Sequence, residues 1–489
     1  MKNRLLGKAT NKTSSIKKCI VLAIASLLCI AYNNKIWAQQ IDKNFSITDL
    51  YALMLKNHPV VKQAGLMSEQ ARLEIMMARG SGFDPKFQSM WNEKTFGGKE
   101  YYSIWENSLK IPTWFGAEFK AGYDEMYGTF LNPERRIPSQ GQSYVGLSVP
   151  IGQGLFIDSR RATLRQAQLF KQMTDAERIK IINKIIYEAA KDYWEWYFRY
   201  FRYKNLETGY NFAFDRYKFV KSRVKVGEEA SIDSTEALIL LQTRFVTFSQ
   251  GEMEWQNATL QLSNHLWGDD NTPLDLDTTF TPKRAIFPTE KLTQENFEQL
   301  ADFARKNHPE IQKFNFKIKQ LEIERRLALE NVKPGVNLGY YLLQTGKNPL
   351  NEYGSNYLQN NYKASIDVNF PLLWRKERGK LLQTKAKIKA TEFERSFTQR
   401  IISNQLSAFF NELNNTEQLL EIQGRLVTNF TILRDGEYEK FINGESSLFL
   451  VNSRESSLID ARIKLVEMES KYLKAKAGVY WAAGKSEAE

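Results

Sequence analysis

Cysteine is almost absent from this sequence of 489 residues, and its distribution excludes several classes of protein. Both cysteines, Cys19 and Cys29, lie within the first 38 residues. The remaining chain therefore cannot use a disulfide framework, a cysteine nucleophile or a cysteine-ligated metal site. Histidine is also scarce, with three residues, which leaves few candidates for a general base or a metal ligand.

Acidic residues are missing from residues 1–38, which carry seven lysines and arginines. Lys17 and Lys18 precede an apolar run at residues 19–31, and Ala38 ends a segment that suits signal-peptidase cleavage. Residues 1–38 are therefore predicted to be a secretory signal peptide. Cys29 leaves a lipid anchor open as an alternative, although the preceding Ser-Leu-Leu suits lipidation poorly.

The net charge of +12 comes largely from this signal. Without its seven basic residues, the chain has 61 basic against 56 acidic residues, a net charge of +5. Because nucleic-acid-binding proteins need a broad basic surface, no nucleic-acid partner is expected.

No stretch of 18 apolar residues follows residue 38, which excludes a membrane-spanning helix in the mature chain. Three kinds of exported protein remain: a soluble protein, a surface-bound protein and a protein with transmembrane β-strands, whose sequence signal is weak. The helix and strand patterns further along the chain have to decide between them.

Proline is absent from residues 151–272 and 372–489, two runs of 122 and 118 residues. Because proline breaks helix interiors, these runs are where long helices can form. Glycine is nearly absent too, since Gly209 is the one glycine between Leu155 and Val226. We therefore predict a helix over residues 158–226, about 100 Å long at about 1.5 Å per residue, as in a coiled-coil rod.

The two halves of the chain repeat the same order of features. Residues 56–59 and 306–309 share the sequence Lys-Asn-His-Pro, and Gly227 and Gly444 each follow a long helical run. This order predicts two structural repeats, each with a strand segment, joined by a linker: residues 39–267 (strands at about 86–150), 268–289 and 290–489 (strands at about 335–371).

Apolar residues in the long helical runs are spaced in alternate steps of three and four, as in coiled coils. One such series begins at Ile179 and ends at Tyr200, and a second extends from Leu406 to Phe430. Both are predicted to be helix–helix packing seams. Residues 193–203 carry eight aromatic side chains on all sides of the helix, which predicts burial on more than one side, as between neighbouring subunits.

Shorter segments at residues 117–123, 336–342 and 362–370 alternate strictly between apolar and polar residues. This period of two fits strands with lipid on one face and water on the other, although a soluble sheet on a helical core has the same alternation. Open sheet edges are not tolerated in lipid, and a few strands cannot close a barrel. Strands in a membrane would therefore require several chains to build one barrel.

With these features the chain resembles the TolC-like outer-membrane efflux protein family. The resemblance rests on the duplicated Asn-His-Pro, the strand exits at residues 149–151 (Val-Pro-Ile) and 370–372 (Phe-Pro-Leu), residues 190–194 (Ala-Lys-Asp-Tyr-Trp) and the paired glycine turns. It covers about residues 45–484, and the duplication in the same order carries more weight than any single motif.

The resemblance implies a mainly α-helical protein with membrane β-strands, in which a long periplasmic α-helical barrel joins a short transmembrane β-barrel completed by trimerisation. It also implies a location in the bacterial outer membrane, in contact with its lipid and extending into the periplasm. Such a homotrimer is a passive duct that works with a periplasmic adaptor protein and an inner-membrane pump. It expels drugs, other small molecules, metal ions or proteins, and the sequence does not indicate which cargo applies here.

The first strand segment departs from the family pattern. About 65 residues separate Pro85 from Pro150, whereas about 37 separate Pro334 from Pro371. Since family members have four strands per chain, the additional length predicts either an external loop or an added strand pair.

The resemblance also implies that the periplasmic aperture is narrowed, and an adaptor docked, near the helix tips after the two glycine turns. The candidate residues are Gly227, Ser231, Asp233 and Glu236 in the first half and Gly444, Leu450 and Ser453 in the second. Asp233 and Glu236 lie three apart on one helix face and would form an acidic ring in a trimer, whereas a solvated helix N-terminus is the simpler interpretation. Leu450 and Ser453 stand where some family members have paired aspartates.

No residue is a candidate for catalysis, cofactor binding or metal binding. His58 and His308 are equivalent positions of the repeat, where the asparagine suits a helix C-cap and the proline suits the first turn of the next helix. The sequence contains no phosphate-binding loop, nucleophile elbow or paired-carboxylate signature, so an enzyme is not expected. A soluble periplasmic coiled-coil protein, structural or adaptor, remains the alternative to the duct.

Overall fold

A computed structural model describes residues 44–277, 279–285, 287, 291–347 and 360–486. The predicted signal peptide, with Cys19 and Cys29, lies outside the described residues. The helices that the structure describes are α1 (Ile47–Asn57), α2 (Pro59–Phe83), α3 (Ser159–Lys225), α4 (Ser231–Ser263), α5 (Gln294–Asn307), α6 (Pro309–Glu330), α7 (Arg375–Ile442) and α8 (Leu448–Ala483).

Two of these helices are very long because no proline interrupts them. α3 has 67 residues and α7 has 68, which corresponds to about 100 Å each at about 1.5 Å per residue. Asp158 caps the start of α3, where its carboxylate accepts a hydrogen bond from the Arg161 N–H at 2.8 Å. The helix predicted over residues 158–226 is confirmed. In the described part of the chain, no helix is long and apolar enough to cross a membrane.

Each long helix packs against two shorter ones. α3 contacts α2 and α4, and α7 contacts α6 and α8, so both halves of the chain have the same helix arrangement. α3 also contacts α6 and α8, which joins the two halves. Between α7 and α8, the Gln423 side-chain amide donates to the Ala461 carbonyl at 2.9 Å.

The predicted packing seams are confirmed with one exception. Leu406 and Leu413 in α7 are buried, and so are Ile186 and Trp196 in α3. The prediction for Ile179 is wrong, because 47% of its surface is exposed. The described helices that pack against α3 leave its surface uncovered at Ile179.

The strands form two separate sheets. β1 (Asn44–Phe45) pairs in parallel with β6 (Thr281–Pro282), which ties the start of the described chain to the segment between α4 and α5. The other strands form one antiparallel sheet in the order β2-β3-β4-β5-β7-β8, which are Lys86–Phe96, Lys99–Pro112, Glu118–Tyr127, Gln142–Pro150, Gly335–Thr345 and Tyr362–Asn369.

The first strand segment contributes four strands to the large sheet, and the second contributes two. The additional length before Pro150 therefore forms an added strand pair. The predicted fold class, mainly helical with long helices and a strand domain, is confirmed. Since α3 follows β5 and α7 follows β8, both long helices start at the sheet and end at the glycine turns.

The aromatic segment of α3 lies at the centre of the core. Trp196 Nε1 donates to Thr259 Oγ1 in α4 at 3.0 Å, and the Tyr193 hydroxyl donates to the Phe45 carbonyl in β1 at 2.8 Å. α8 covers a third side. Burial on several sides is as predicted, whereas cover by neighbouring subunits stays a prediction. Elements of the same chain cover the side chains that are buried here. They come from residues far away in the sequence, which a local pattern does not reveal.

His58 and His308 form the turns between α1 and α2 and between α5 and α6. In each turn imidazole Nδ1 accepts a hydrogen bond at 3.2 Å from the backbone N–H two residues on, that of Val60 or Glu310. The following proline begins the next helix, as predicted. The expected asparagine C-cap is wrong, because the histidine is both the C-cap of one helix and the N-cap of the next.

Candidate functional site

The two helix tips are built by glycine turns. Gly227 and Gly444 have φ values of 82° and 79°, in the left-handed region that favours glycine. The Gly227 N–H donates to the Val224 carbonyl at 3.2 Å, and the Glu228 N–H donates to the Arg223 carbonyl at 3.0 Å, which is the Schellman pattern. The same pattern, with bonds of 3.1 and 2.8 Å, surrounds the second glycine. Both glycines therefore end a long helix and reverse the chain.

The two tips lie side by side. The ring centroids of Phe219 in α3 and Phe441 in α7 are 6.4 Å apart. Behind the tips, Arg216 of α3 forms an ion pair with Glu455 of α8, and the two side chains are 5% and 8% exposed. Removing either charge would leave the other uncompensated in the protein interior, so this pair holds the first half of the chain against the second.

The acidic candidates of the first tip lie at the start of α4. Ala230 is the N-cap, and the Asp233 carboxylate accepts a hydrogen bond from its N–H at 3.2 Å. Asp233 is half-buried, whereas Ser231 and Glu236 are exposed. Asp233 therefore stabilises the helix N-terminus, where negative charge also interacts favourably with the helix dipole. Glu236 has no ion pair with the described residues and keeps its carboxylate in solvent.

The second tip presents no carboxylate at the matching positions. Ser447 is the N-cap of α8, and its hydroxyl accepts a hydrogen bond from the Leu450 N–H at 3.4 Å. Leu450 and Ser453 are both exposed. All the candidate residues therefore lie at the end of the helical body that is opposite the large sheet.

One face of the large sheet is apolar. Cross-strand pairing aligns one row of this face across all the strands, namely Phe87, Leu109, Ala121, Val145, Leu342 and Tyr362. A neighbouring row consists of Ile111, Phe119, Leu147, Tyr340 and Ala364. A continuous apolar surface of this kind marks contact with lipid or with another protein.

Aromatic side chains border this apolar band at both ends. Trp91 and Trp105 are paired across β2 and β3 towards the distal end of the sheet. Trp114 and Phe115, at the end nearest the helices, are 78% and 53% exposed. The chain from Trp105 to Trp114 is about 30 Å long at about 3.4 Å per residue, which suits tilted strands across an apolar band about 25 Å tall. Aromatic belts at both borders are typical of transmembrane β-strands.

The opposite face of the sheet is polar. Glu106 and Asp124 are paired across β3 and β4, and Ser148 lies opposite Glu118. Near the helices this alternation gives the sheet one apolar and one polar side. Further out, a polar row lies on the otherwise apolar face, namely Ser89, Asn107, Tyr123, Ser143 and Gln344. β2 and β8 form the two edges, and each has a neighbour on one side only among the described residues.

α4 carries an exposed apolar stripe that repeats every seven residues. Its members, each between 54% and 70% exposed, are Ile232, Ile239, Val246, Met253 and Leu260. α7 carries a shorter stripe with the same spacing, Leu419, Leu426 and Leu433, which are 40–41% exposed. A sustained heptad stripe is the pattern of a helix that packs against another helix.

The histidines have structural partners. Nε2 of His265 lies 2.8 Å from the Asp192 carboxylate, and its ring stacks on His58 with centroids 6.2 Å apart. Burial, followed by the neighbouring His265, lowers the pKa of His58. In the part of the chain that the structure describes, no group of three or more His, Cys, Asp or Glu side chains is placed to hold a metal ion.

Solved structures with the same architecture include outer-membrane channels. CmeC of Campylobacter jejuni is 13% identical with a TM-score of 0.62, over 91% of this chain and 87% of that one. The open state of MtrE of Neisseria gonorrhoeae is 13% identical with a TM-score of 0.65, over 90% and 89%. VceC of Vibrio cholerae is 13% identical with a TM-score of 0.62, over 90% and 96%.

The chain has the outer-membrane channel fold. The resemblance to TolC-like proteins is thereby confirmed at the level of the fold. No protein-family model matches the sequence, and no curated protein matches it either. The fold is shared although only 13% of the residues are identical.

Sequence reasoning missed two features of this channel fold. The apolar stripe of α4 has a clear signal, since its five members recur every seven residues from Ile232 to Leu260. The alternation along the strands predicted a polar face of the sheet, but which of its residues lie side by side becomes visible only when the register of all the strands is known.

Proposed function

We propose that the protein is a passive export channel of the bacterial outer membrane that extends into the periplasm. The observation that carries this proposal is the sheet at one end of a helical body about 100 Å long, with an apolar face, a polar face and two open edges. Lipid would cover the apolar face, and the polar face would line a water-filled lumen. The similarity to outer-membrane channels supports the same conclusion.

The open edges support assembly into a homotrimer. β2 and β8 run in opposite directions, so β8 of one copy can pair with β2 of the next in an antiparallel ladder. With six strands per chain, three copies would close a barrel of eighteen strands. Closure would give every backbone N–H and C=O group of the sheet a hydrogen-bond partner, which a sheet in lipid requires.

The apolar stripes of the outer helices support the same assembly. α4 lies at one edge of the helical body and α7 at the other, and neither edge is covered by the described residues. In a closed ring the α4 stripe of one copy would pack on the α7 stripe of the next. Packing of this kind would continue the barrel from the membrane into the periplasm.

The helix tips are proposed as the periplasmic aperture and the docking site for an adaptor protein. Their exposed positions include Glu236 in the first tip and Leu450 and Ser453 in the second. Because the sequence contains no nucleotide-binding loop, energy would come from an inner-membrane pump acting through the adaptor. Drugs, other small molecules, metal ions and proteins are the cargo classes consistent with such a duct.

The test is the mass of the full-length protein, extracted from outer membranes in mild detergent and measured by native mass spectrometry. We expect three copies of a mature chain of about 52 kDa, from the 56.8 kDa chain without its signal peptide. A water-soluble monomer would overturn the proposal and support the soluble periplasmic coiled-coil protein instead.

A pair of variants tests the helical interface. Ile239→Glu with Val246→Glu places charge in the α4 stripe and should dissociate the trimer, whereas Ile239→Val with Val246→Ile keeps the stripe apolar and should not. If both double variants remain trimeric, the α4 stripe is not the interface.

A further inference from the structure

The polar face of the large sheet contains a row of lysines that no sequence motif indicates. Cross-strand pairing aligns one residue from each strand in this row, which is Lys86, Lys110, Lys120, Gly146, Tyr341 and Lys363. Four of its six positions are lysine, and three of these lie on adjacent strands. We name this set the lysine row.

Like charges directly opposite each other destabilise a sheet, so the lysine row has a cost in folding free energy. Lys120 is compensated by the Glu118 carboxylate at 3.5 Å. Lys86, Lys110 and Lys363 have no salt bridge to any residue that the structure describes. Lys363 interacts electrostatically with Asp124, and the charges of Lys86 and Lys110 are available to another group.

Carboxylates on this face neutralise the row only in part. Glu118 pairs with Lys120, and Asp124 interacts electrostatically with Lys363. Glu106 and Asp124 lie opposite each other in register, each four residues from the row position on its own strand, which is about 13 Å along a strand. Four lysines therefore face two such carboxylates, and the row keeps a net positive charge.

We propose that the lysine row is a binding site for anionic solutes, those carrying carboxylate, sulfate or phosphate groups, as they pass through the lumen. This inference rests on the proposed channel, because the polar face must line the lumen. Side-chain amines projecting from neighbouring strands would attract such groups electrostatically and raise their concentration at this level of the pore. Three copies would repeat the row three times around the barrel.

The absence of cysteine after residue 38 allows a direct test. Ser108 lies on the polar face, two residues from Lys110 on β3, and Ser108→Cys changes one atom of the side chain. The mature protein with this change, which lacks Cys19 and Cys29, is purified as the trimer in detergent. Its reaction rates with an anionic and a cationic methanethiosulfonate reagent of similar size are measured, relative to those of a free thiol. The ratio of the anionic to the cationic rate does not depend on the accessibility or the thiolate fraction of the cysteine, because both reagents react with the same thiol.

With all lysines present, we expect the ratio of anionic to cationic rates to exceed that of a free thiol by about ten-fold. Lys110→Gln with Lys363→Gln should reduce this ratio several-fold. The matched control is Lys94→Gln with Lys99→Gln, which removes the same charge near the β2–β3 turn and should leave the ratio unchanged.

A ratio equal to that of a free thiol, or an equal fall in the control, would overturn the lysine row as an anion site. Failure of Ser108→Cys to react with either reagent would also overturn it, because the polar face would not face water. These results leave the channel itself standing if the same preparation is trimeric by native mass spectrometry, whereas a monomer in that measurement rejects the channel.

Discussion

At the scale of single residues, the duplicated histidines show how one side chain can join two helices. Nδ1 of His58 and of His308 accepts a backbone hydrogen bond at the start of α2 and of α6. A protonated imidazole has no acceptor left, so the N-cap requires the neutral form. This capping role explains why Asn-His-Pro occurs twice in the chain, and it requires no catalytic or metal-binding role of the histidine.

This requirement predicts a dependence of stability on pH. Burial lowers the pKa of His308 from 6.5 to about 4, with Glu310 raising it and Lys180 lowering it. The unfolded chain therefore binds a proton at a pH where the folded chain does not, and stability falls as the pH drops from about 6.5 towards 4. Between pH 7 and pH 5 we expect a loss of about 2 kcal/mol of unfolding free energy from this group.

The variant His308→Asn separates this contribution from other titrating groups. Asparagine is a good N-cap and does not titrate, so denaturant unfolding at pH 7 and pH 5 should show a smaller loss than in the unmodified protein. Equal losses in the two proteins would contradict the assignment of His308 as the group responsible.

At the scale of elements, replacing glycine by alanine has opposite effects on stability at the end and in the interior of a long helix, because the backbone conformation differs. Gly227 has a φ of 82°, and a Cβ there would meet open space, so Gly227→Ala introduces backbone strain without a clash. We expect a cost of about 1 kcal/mol, and hence about five-fold faster hydrogen exchange of the amides around the first tip.

The matched change is Gly424→Ala in the interior of α7, where a Cβ also meets nothing within 4 Å. Alanine has the higher helix propensity by about 1 kcal/mol, so hydrogen exchange around residue 424 should become slower. Exchange that accelerates in both variants would show that the tip glycine has no special conformational role.

At the scale of the whole molecule, assembly in the outer membrane depends on which face of the large sheet is turned towards lipid. Leu147 and Ser148 are neighbours on β5 with side chains on opposite faces, the first apolar and the second opposite Glu118. Leu147→Lys should prevent assembly in the outer membrane, because lysine on the lipid face costs about 2–4 kcal/mol per chain near the bilayer centre.

Ser148→Lys adds the same charge to the polar face and should assemble normally. The measurement is the amount of trimer recovered from outer-membrane fractions for each variant. Normal assembly of both, or loss of both, would contradict the assignment of the two faces.

Much of the fold could be predicted from the sequence, because its signals are local. The absence of proline and glycine predicted α3 almost to the residue, and a period of two predicted three of the strands. The sequence did not decide whether the additional length of the first segment forms a loop or a strand pair, because apolar and polar residues alternate only weakly in β2. The repeat boundaries at residues 267 and 290, and the aperture at the helix tips, stay predictions.

What the sequence by itself determined is the length of the helices, the duplication and the fold class. Only the tertiary structure decided which residues lie side by side. The aromatic segment of α3 is covered by its own chain, and the lysine row joins residues from Lys86 to Lys363. Strand register depends on hydrogen bonds between distant segments, and no local periodicity contains that information.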